Sequence, residues 1–352
     1  MYAVIMAGGR GTRFWPSSRK AKPKQLLNVF GNETMLQITI NRMKKLKCVE
    51  DIIIITGEDL APQIRKTIKG VKSKNIITEP SGKNTAPAIG LAALHIRNIN
   101  KDAVMGIFPA DHLVVGAQKF ARAIRSSLQL ANKDQKLVTI GINPTYPSTG
   151  YGYIQYDMKN AKNHLNGFHV KTFAEKPHEK LAKRFLKSGD FLWNGGMFVW
   201  KVKSLFDHLA LLMPELNEQL KRIEKRIEIK QDYDNIWKNI KSESIDYGIL
   251  EKSDDIYVIK AEFEWNDVGS WNSVYDLSPK TKEDNVVRGN GIVLNGERNL
   301  VQSENHFTAL VGISDLVVVH TEDATLIIPK NKVESIKELV DYLNKNNKKD
   351  LL

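Results

Sequence analysis

The chain has 352 residues, 42% of them hydrophobic and 26% charged, which allows roughly two domains with buried cores and excludes a disordered or fibrous chain. Its aliphatic runs, such as 52–55 and 316–319, are four residues long, against the roughly 20 that a membrane-spanning helix needs. A single cysteine, Cys48, excludes an intrachain disulfide and a cysteine-based zinc cluster; with a start that reads as a strand rather than a signal peptide, it fits a cytoplasmic protein.

The formal charge of +12 suits nucleic acid, an anionic membrane or a small polyanion. Most cations are interleaved with acids, as in 221–230, the pattern of a solvated helix face. The exception is Arg10, Arg13, Arg19, Lys20, Lys22 and Lys24, a run with no acid before Glu33. That local field calls for an anion.

The first 145 residues alternate β-branched runs with amphipathic stretches of helical length. Strands are predicted at 2–6, 51–56, 75–78, 103–108 and 136–142, and helices at 34–46, 58–69, 85–98 and 118–131. Repeated β-α-β units predict an α/β fold: a Rossmann-like mixed, mostly parallel sheet flanked by helices, with ligands at the carboxyl ends of its strands. From 146 to about 278 the pattern changes to strands near 152–156, 167–174 and 196–202 and several helices between 204 and 252. This reads as an elaboration of the same sheet forming the second wall of a cleft. Beyond Asp284, β segments at 291–294, 308–312, 316–320 and 325–328 make a small C-terminal β appendage. A closing helix at 333–344 leads into a Lys- and Asn-rich tail expected to fray. The expected division is a catalytic domain over 1–280 and a C-terminal region over 281–352.

The first candidate for chemistry follows the first strand directly: Gly8-Gly9-Arg10-Gly11-Thr12-Arg13, continuing to Pro23-Lys24-Gln25. A glycine-rich loop lets backbone N–H groups approach phosphate oxygens, and the cations stabilise charge on a leaving group. No Gly-Lys-Ser/Thr closes it, so it is not a Walker A loop, and Phe14 at the third glycine position excludes the dinucleotide fingerprint. The bland alternative is a tight surface loop with solvated cations.

Asp111, in Phe108-Pro109-Ala110-Asp111-His112, is either a magnesium ligand at a strand end or the N-cap of a helix beginning near Gly116. His112 is expected to pack or to turn the chain. In 78–87, Asn84 or Thr85 can cap the next helix, with Pro87 in its first turn, a structural account complete by itself. Glu175-Lys176-Pro177 offers a carboxylate for sugar hydroxyls and an ammonium for a phosphate, and Asn194-Gly195-Gly196 offers an amide beside close backbone. For Glu175 and Lys176 the alternative is a solvated charge pair. Asp267, before Val268-Gly269-Ser270-Trp271, is a second metal carboxylate or the N-cap of a helix starting near Ser270.

In this order the segments resemble the sugar nucleotidyltransferases, and within them the mannose-1-phosphate guanylyltransferases, over roughly residues 1–275. Gly-Gly-Arg-Gly-Thr-Arg to Pro-Lys-Gln carries the superfamily likeness. Glu-Pro-Ser-Gly-Lys-Asn-Thr-Ala-Pro-Ala and Trp-Asn-Gly-Gly-Met-Phe-Val-Trp look like the mannose and GTP branch. The resemblance implies GMP transfer from GTP to α-D-mannose 1-phosphate, forming GDP-mannose and pyrophosphate by in-line, Mg²⁺-dependent attack without a covalent intermediate. It implies nucleotide contacts at Ala7, Gly8, Gly9, Gly11, Thr12, Arg13, Asn84, Thr85 and Asp111. Sugar phosphate contacts are implied at Gly152, Glu175, Lys176, Asn194 and Gly195, and metal ligands at Asp111 and Asp267. Lys24 would steady the α-phosphate and departing pyrophosphate, so the implied catalytic set is Arg13, Lys24, Asp111, Lys176 and Asp267.

The C-terminal appendage looks like the family's short β-helix-like region. Larger relatives continue into a phosphomannose isomerase domain, and a monofunctional enzyme is expected here. The partners implied are small-molecule substrates, with no nucleic acid and no membrane, and a homodimer is the oligomer to test. The alternatives are another hexose 1-phosphate or nucleotide donor, or a non-catalytic nucleotide-sugar sensor on the same fold. Nucleic-acid binding rests on net charge alone, without a basic stripe interleaved with aromatics.

Overall fold

The computed structural model describes residues 1–9, 11–133, 135–162 and 165–352. Arg10, the third residue of the glycine-rich loop, therefore lies outside the described residues. The chain divides into two compact units: Met1–Gly8, Thr39–Ala110 and Val114–Trp265 form the first, and Gly9–Ile38, Asp111–Leu113 and Asn266–Leu352 the second. Among the described residues no helix is long and apolar enough to cross a membrane.

The first unit is built on a nine-stranded sheet. Its strands are β1 (Tyr2–Met6), β2 (Asp51–Gly57), β3 (Ile76–Glu79), β4 (Val104–Pro109), β5 (Leu137–Ile142), β6 (Tyr153–Lys162), β7 (Gly167–Ala174), β8 (Phe191–Lys201) and β9 (Ile256–Lys260). They lie in the order β3-β2-β1-β4-β8-β5-β9-β7-β6. β1 pairs in parallel with β2 and β4, which sets Met6 beside both Ile55 and Pro109. The chain moves outward from β1 to β2 and β3, then resumes on the other side with β4. The carboxyl ends of β1 and β4 thus form a topological switch point, where open α/β sheets bind ligands. Antiparallel β8, between β4 and β5, makes the sheet mixed.

Continuous apolar runs such as Ile52–Ile55 are buried at every position, as strands covered on both faces must be. The helix Thr85–Ile99 is buried from Ala86 through Leu94. Its Gly90 is required by packing, because a Cβ there would lie 2.5 Å from Leu220 Cδ1. Trp200 and Trp237 are fully enclosed in the same core.

Two differences from the sequence reading matter to the site. β8 begins at Phe191, so Asn194-Gly195-Gly196 lies inside a strand instead of at the start of one. The buried Phe191, Leu192 and Trp193 extend the strand, and the glycines sit at a register shift against Thr139 and Gly141, the place where a strand tolerates them. β9, parallel to β5, is an additional strand that the sequence reading did not include.

The second unit contains a four-stranded sheet of β10 (Val286–Leu294), β11 (Leu300–Val311), β12 (Leu316–His320) and β13 (Thr325–Pro329), in that order. The first three are parallel, with Val286 beside Leu300 and Leu300 beside Val317. Buried asparagines tie these successive rungs. Asn285 Nδ2 donates to the Gly296 carbonyl and Asn299 Nδ2 to the Ile313 carbonyl, each at 2.8 Å. Phe14, Trp15, Trp271, Val317, Val319 and Ile336 share this unit's main core.

The tail expected to fray is instead anchored. Residues Lys349–Leu351 form a 3₁₀ turn, Trp15 Nε1 donates to the Leu351 carbonyl at 2.8 Å, and Leu351 and Leu352 pack on the same core. The apolar pair outweighs the polar composition around it.

Phe14 is fully buried with its ring 5.1 Å from that of Trp271. Phe14→Ala should cost about 3–5 kcal/mol, the usual range for an emptied aromatic site, read by urea unfolding; an unchanged midpoint would contradict its place in the core.

Candidate active site

Ala7 extends β1 by one residue, its N–H donating to the Ile55 carbonyl at 2.8 Å. Gly8 follows, and a Cβ on it would lie 3.3 Å from Glu79 Oε2. In the second unit, the Gly9 carbonyl accepts from Gln25 Nε2 at 2.8 Å. Gly11 has φ +55, and a Cβ there would meet Lys24 Cβ at 2.5 Å and Lys24 N at 2.8 Å. Only glycine lets the loop pass the backbone of Lys24 this closely. Thr12, Arg13 and Phe14 form a 3₁₀ turn pinned by the buried Phe14.

Lys24 is 7% exposed. Its ammonium sits 2.8 Å from Asp111 Oδ2 and donates to the Asp267 carbonyl at 2.5 Å, with the Phe14 ring 5.9 Å away. Loss of water would raise the Asp111 carboxyl, but the charges of Lys24 and then His112 hold it below the ordinary carboxylate value. Asp111 is therefore ionised.

The Asp267 carbonyl is presented by a strained turn. Val268, buried and β-branched, has φ +50, a conformation costing about 1–3 kcal/mol, and its N–H donates to Asn266 Oδ1 at 2.6 Å. The helix beyond it, Trp271–Leu277, has Ser270 at its N-cap position, and the helix after Asp111 begins at Ala117. Neither aspartate serves as the N-cap that its sequence also allowed. Lys24, Asp111 and Asp267 are instead brought together. Among the described residues no three His, Cys, Asp or Glu side chains form a metal cage. Lys24 meets the carboxylate of Asp111 but the backbone carbonyl of Asp267.

Two of the other cations already have acid partners. Arg19 reaches both Asp323 oxygens at 3.0 Å, and Arg13 Nε lies 3.8 Å from Glu334 with its side chain 56% exposed. The acid-free run is acid-free only in sequence, since its partners come from about 300 residues later.

In the first unit the residues read for a sugar phosphate also cluster. Glu175 Oε1 accepts from Lys176 Nζ at 2.7 Å, whereas the buried Oε2 has no hydrogen-bond partner among the described residues. Gly152 makes room for it: a Cβ there would fall 2.3 Å from Glu175 Oε2. Asn194 donates through its backbone N–H to the Gly152 carbonyl at 2.8 Å. A Cβ on Gly195 would lie 2.8 Å from the Ile140 carbonyl oxygen. Lys176 has φ +46; burial works against its charge, but the bond it donates to Glu175 and the charges of Glu175 and Asp246 raise its pKa.

Three acids here were not read from sequence. Glu251 Oε1 accepts from the Glu175 N–H at 3.0 Å, and Asp246 Oδ1 accepts from Asn194 Nδ2 at 2.8 Å. Burial, then the charge of Glu175, pushes Asp246 up to about 6. Glu79, at the end of β3, is 5% exposed with Oε1 unpartnered among the described residues. Burial raises it to about 7 against a backbone bond from Lys83. The signal for Glu79 was present, as the first residue of Glu-Pro-Ser at a strand end. Asp246 and Glu251 carry no comparable local signature.

Of the two capping candidates Asn84 is the one that caps, and Thr85 is the first residue of the helix. Asn84, at φ +69, caps the helix through Oδ1, which accepts from the Thr85 N–H at 2.9 Å, while Thr85 Oγ1 accepts from the Ile245 N–H at 2.9 Å.

Residues 2–284 match the nucleotidyl transferase family, and 289–343 match the MannoseP isomerase/GMP-like β-helix domain. The chain is 38% identical to a mannose-1-phosphate guanylyltransferase of Klebsiella pneumoniae, over 99% of its own length and 74% of that protein. It is equally 38% identical to one of Escherichia coli, over 97% and 74%. A solved structure described as mannose-1-phosphate geranyltransferase from Thermus thermophilus has a TM-score of 0.88 at 28% identity, covering 97% of this chain and 99% of that one. The chain belongs to the nucleotidyl transferase family, a class of enzymes, and within it to the branch of the mannose-1-phosphate guanylyltransferases. The mostly parallel mixed sheet flanked by helices and the small C-terminal β region agree with the fold expected from sequence.

Folding raises the Glu79 carboxyl from 4.5 to about 7, so the folded state prefers it protonated. That contribution is fully present below the unfolded pKa and is lost as pH rises through about 7. Glu79→Gln should therefore gain up to about 3 kcal/mol over the parent between pH 5 and pH 8 in urea unfolding. Identical pH dependence in the two proteins would contradict the burial of this charge.

Proposed function

We propose that the chain transfers GMP from GTP to α-D-mannose 1-phosphate, releasing pyrophosphate. The observation that carries the reading is Lys24, a nearly buried ammonium held on Asp111 and on the carbonyl of Asp267, in a chain with relatives at 38% identity bearing that enzyme's name. A phosphate is already a nucleophile, so no Ser, Cys or His base is needed. The obstacle is repulsion between two polyanions, and catalysis then consists of alignment and charge neutralisation.

In this reading the backbone at Ala7, Gly8, Gly9, Gly11 and Thr12 cradles the triphosphate, with Arg13 beside it. Asn84 and Thr85 lie on the base side. Lys24 exchanges Asp111 for the α-phosphate and the departing pyrophosphate. The unpartnered Oε2 of Glu175 accepts from a sugar hydroxyl, Asn194 bonds another, and Lys176 takes the sugar's phosphate. Gly152 and Gly195 supply space for this close approach. Asp111 and Asp267 would hold Mg²⁺, which when bound offsets charge on the phosphates. The enzyme is read as cytoplasmic, in keeping with its single cysteine.

A matrix of nucleoside triphosphates against hexose 1-phosphates, scored by pyrophosphate release with Mg²⁺ present, should place GTP with mannose 1-phosphate among the best pairs, and EDTA should abolish the turnover. A different best pair would overturn the substrate assignment. At saturating Mg²⁺, Lys24→Ala and Asp267→Ala should each lower turnover about a hundredfold or more. Near-parental turnover in a folded variant would remove that residue from the mechanism.

A further inference from the structure

Asp246 lies outside every motif of the sequence, yet it is half-buried and hydrogen-bonded to Asn194. It opens a π-helical turn, Asp246–Leu250, a rare conformation that recurs at functional sites. The turn is fixed from the segment Lys83–Ala86: the Ala86 N–H donates to the Glu243 carbonyl at 3.1 Å, the Glu243 N–H to the Lys83 carbonyl at 3.2 Å, and the Ile245 N–H to Thr85 Oγ1 at 2.9 Å. Asp246 is thus held in place before any ligand binds.

We infer that Asp246 is the positioning residue that orients the Asn194 amide for a sugar phosphate, an inference resting on the proposed sugar role of Glu175, Lys176 and Asn194. An ionised carboxylate only accepts hydrogen bonds, so Asp246 decides which end of the Asn194 amide turns toward it. Asp246 Oδ1 takes one Nδ2 hydrogen at 2.8 Å. Asn194 Oδ1 faces the Gly196 N–H at 3.1 Å and the Thr139 hydroxyl at 3.3 Å. Among the described residues one Nδ2 hydrogen is left to meet a hydroxyl or phosphate oxygen, close to the buried acceptor of Glu175 that also has no partner among them. The negative charge of Asp246 also helps keep Lys176 an ammonium. The subsite so formed offers a donor, an acceptor and a cation, the set that a phosphorylated polyol requires.

The test is steady-state kinetics on the full chain with Asp246→Ala and Asp246→Asn. Asp246→Ala should raise KM for the sugar 1-phosphate about tenfold, the scale of one lost oriented hydrogen bond, while KM for the nucleotide stays within about twofold. Asp246→Asn keeps an acceptor oxygen and should rise only about threefold. Equal rises in both KM values, or no rise, would overturn the inference.

The Asn194 side-chain amide resonances, assigned by their loss in Asn194→Ala, give a readout independent of turnover. Asp246→Ala should shift them and Asp246→Asn should shift them less; unmoved resonances would overturn the inference. Parent protein inactive with every hexose 1-phosphate would defeat the functional proposal, and the resonances would then decide the role of Asp246 alone. Should Asp246→Ala not fold, the KM ratio and resonances of Asp246→Asn decide in the same way.

Discussion

A lysine ammonium withdrawn from water costs several kcal/mol unless it is paired and hydrogen-bonded, and the local structure around Lys24 is arranged to meet that cost. Asp111 supplies the opposite charge and Asp267 a carbonyl. Gly11 gives up its side chain so that the loop can pass the Lys24 backbone. Val268 holds a left-handed conformation that a β-branched residue resists, and the carbonyl just before it is thereby turned to the ammonium. An anion that replaced Asp111 as the partner of Lys24 would be bound by a cation already desolvated and oriented, the condition under which electrostatic stabilisation is strongest.

The first unit uses the complementary device. Glu175 pairs with one ammonium, Lys176, which also feels the charge of Asp246, Glu251 accepts from the Glu175 N–H, and one carboxylate oxygen of Glu175 is left buried without a partner among the described residues. Native proteins rarely tolerate such an atom without a reason. A hydroxyl donor would satisfy it, and Gly152 is the vacancy in the backbone that lets the carboxylate sit there. The same logic applies to Glu79, whose burial favours the protonated acid, a potential donor as well as an acceptor.

The parallel core of the fold was legible because its strands are buried on both faces and are separated by helices of regular period, so each element carries its own signal. The glycine-rich loop, Asp111 and Asn194 were legible as residue types at strand ends or in tight backbone. Longer-range pairings were not. The cationic run looked unopposed because Glu334 and Asp323 are remote in sequence, and the tail looked loose because nothing local announces a bond from Trp15 to Leu351. Asp246 was missed for the same reason: it lies in a stretch that reads only as helical, and its meaning comes from Asn194, 52 residues away. Strand β8 ran through the glycines because tertiary packing of Phe191 to Trp193 overrode their weak strand propensity.

The central claim, that Lys24 is a cation kept ready for a phosphate by Asp111 and Asp267, is tested most directly by a crystal structure with Mg²⁺ and a GTP analogue carrying a methylene bridge between its α- and β-phosphates. The account predicts Lys24 Nζ within about 3 Å of an α- or β-phosphate oxygen, with the divalent ion on the carboxylates of Asp111 and Asp267. A triphosphate bound elsewhere while Lys24 remains on Asp111 would contradict it.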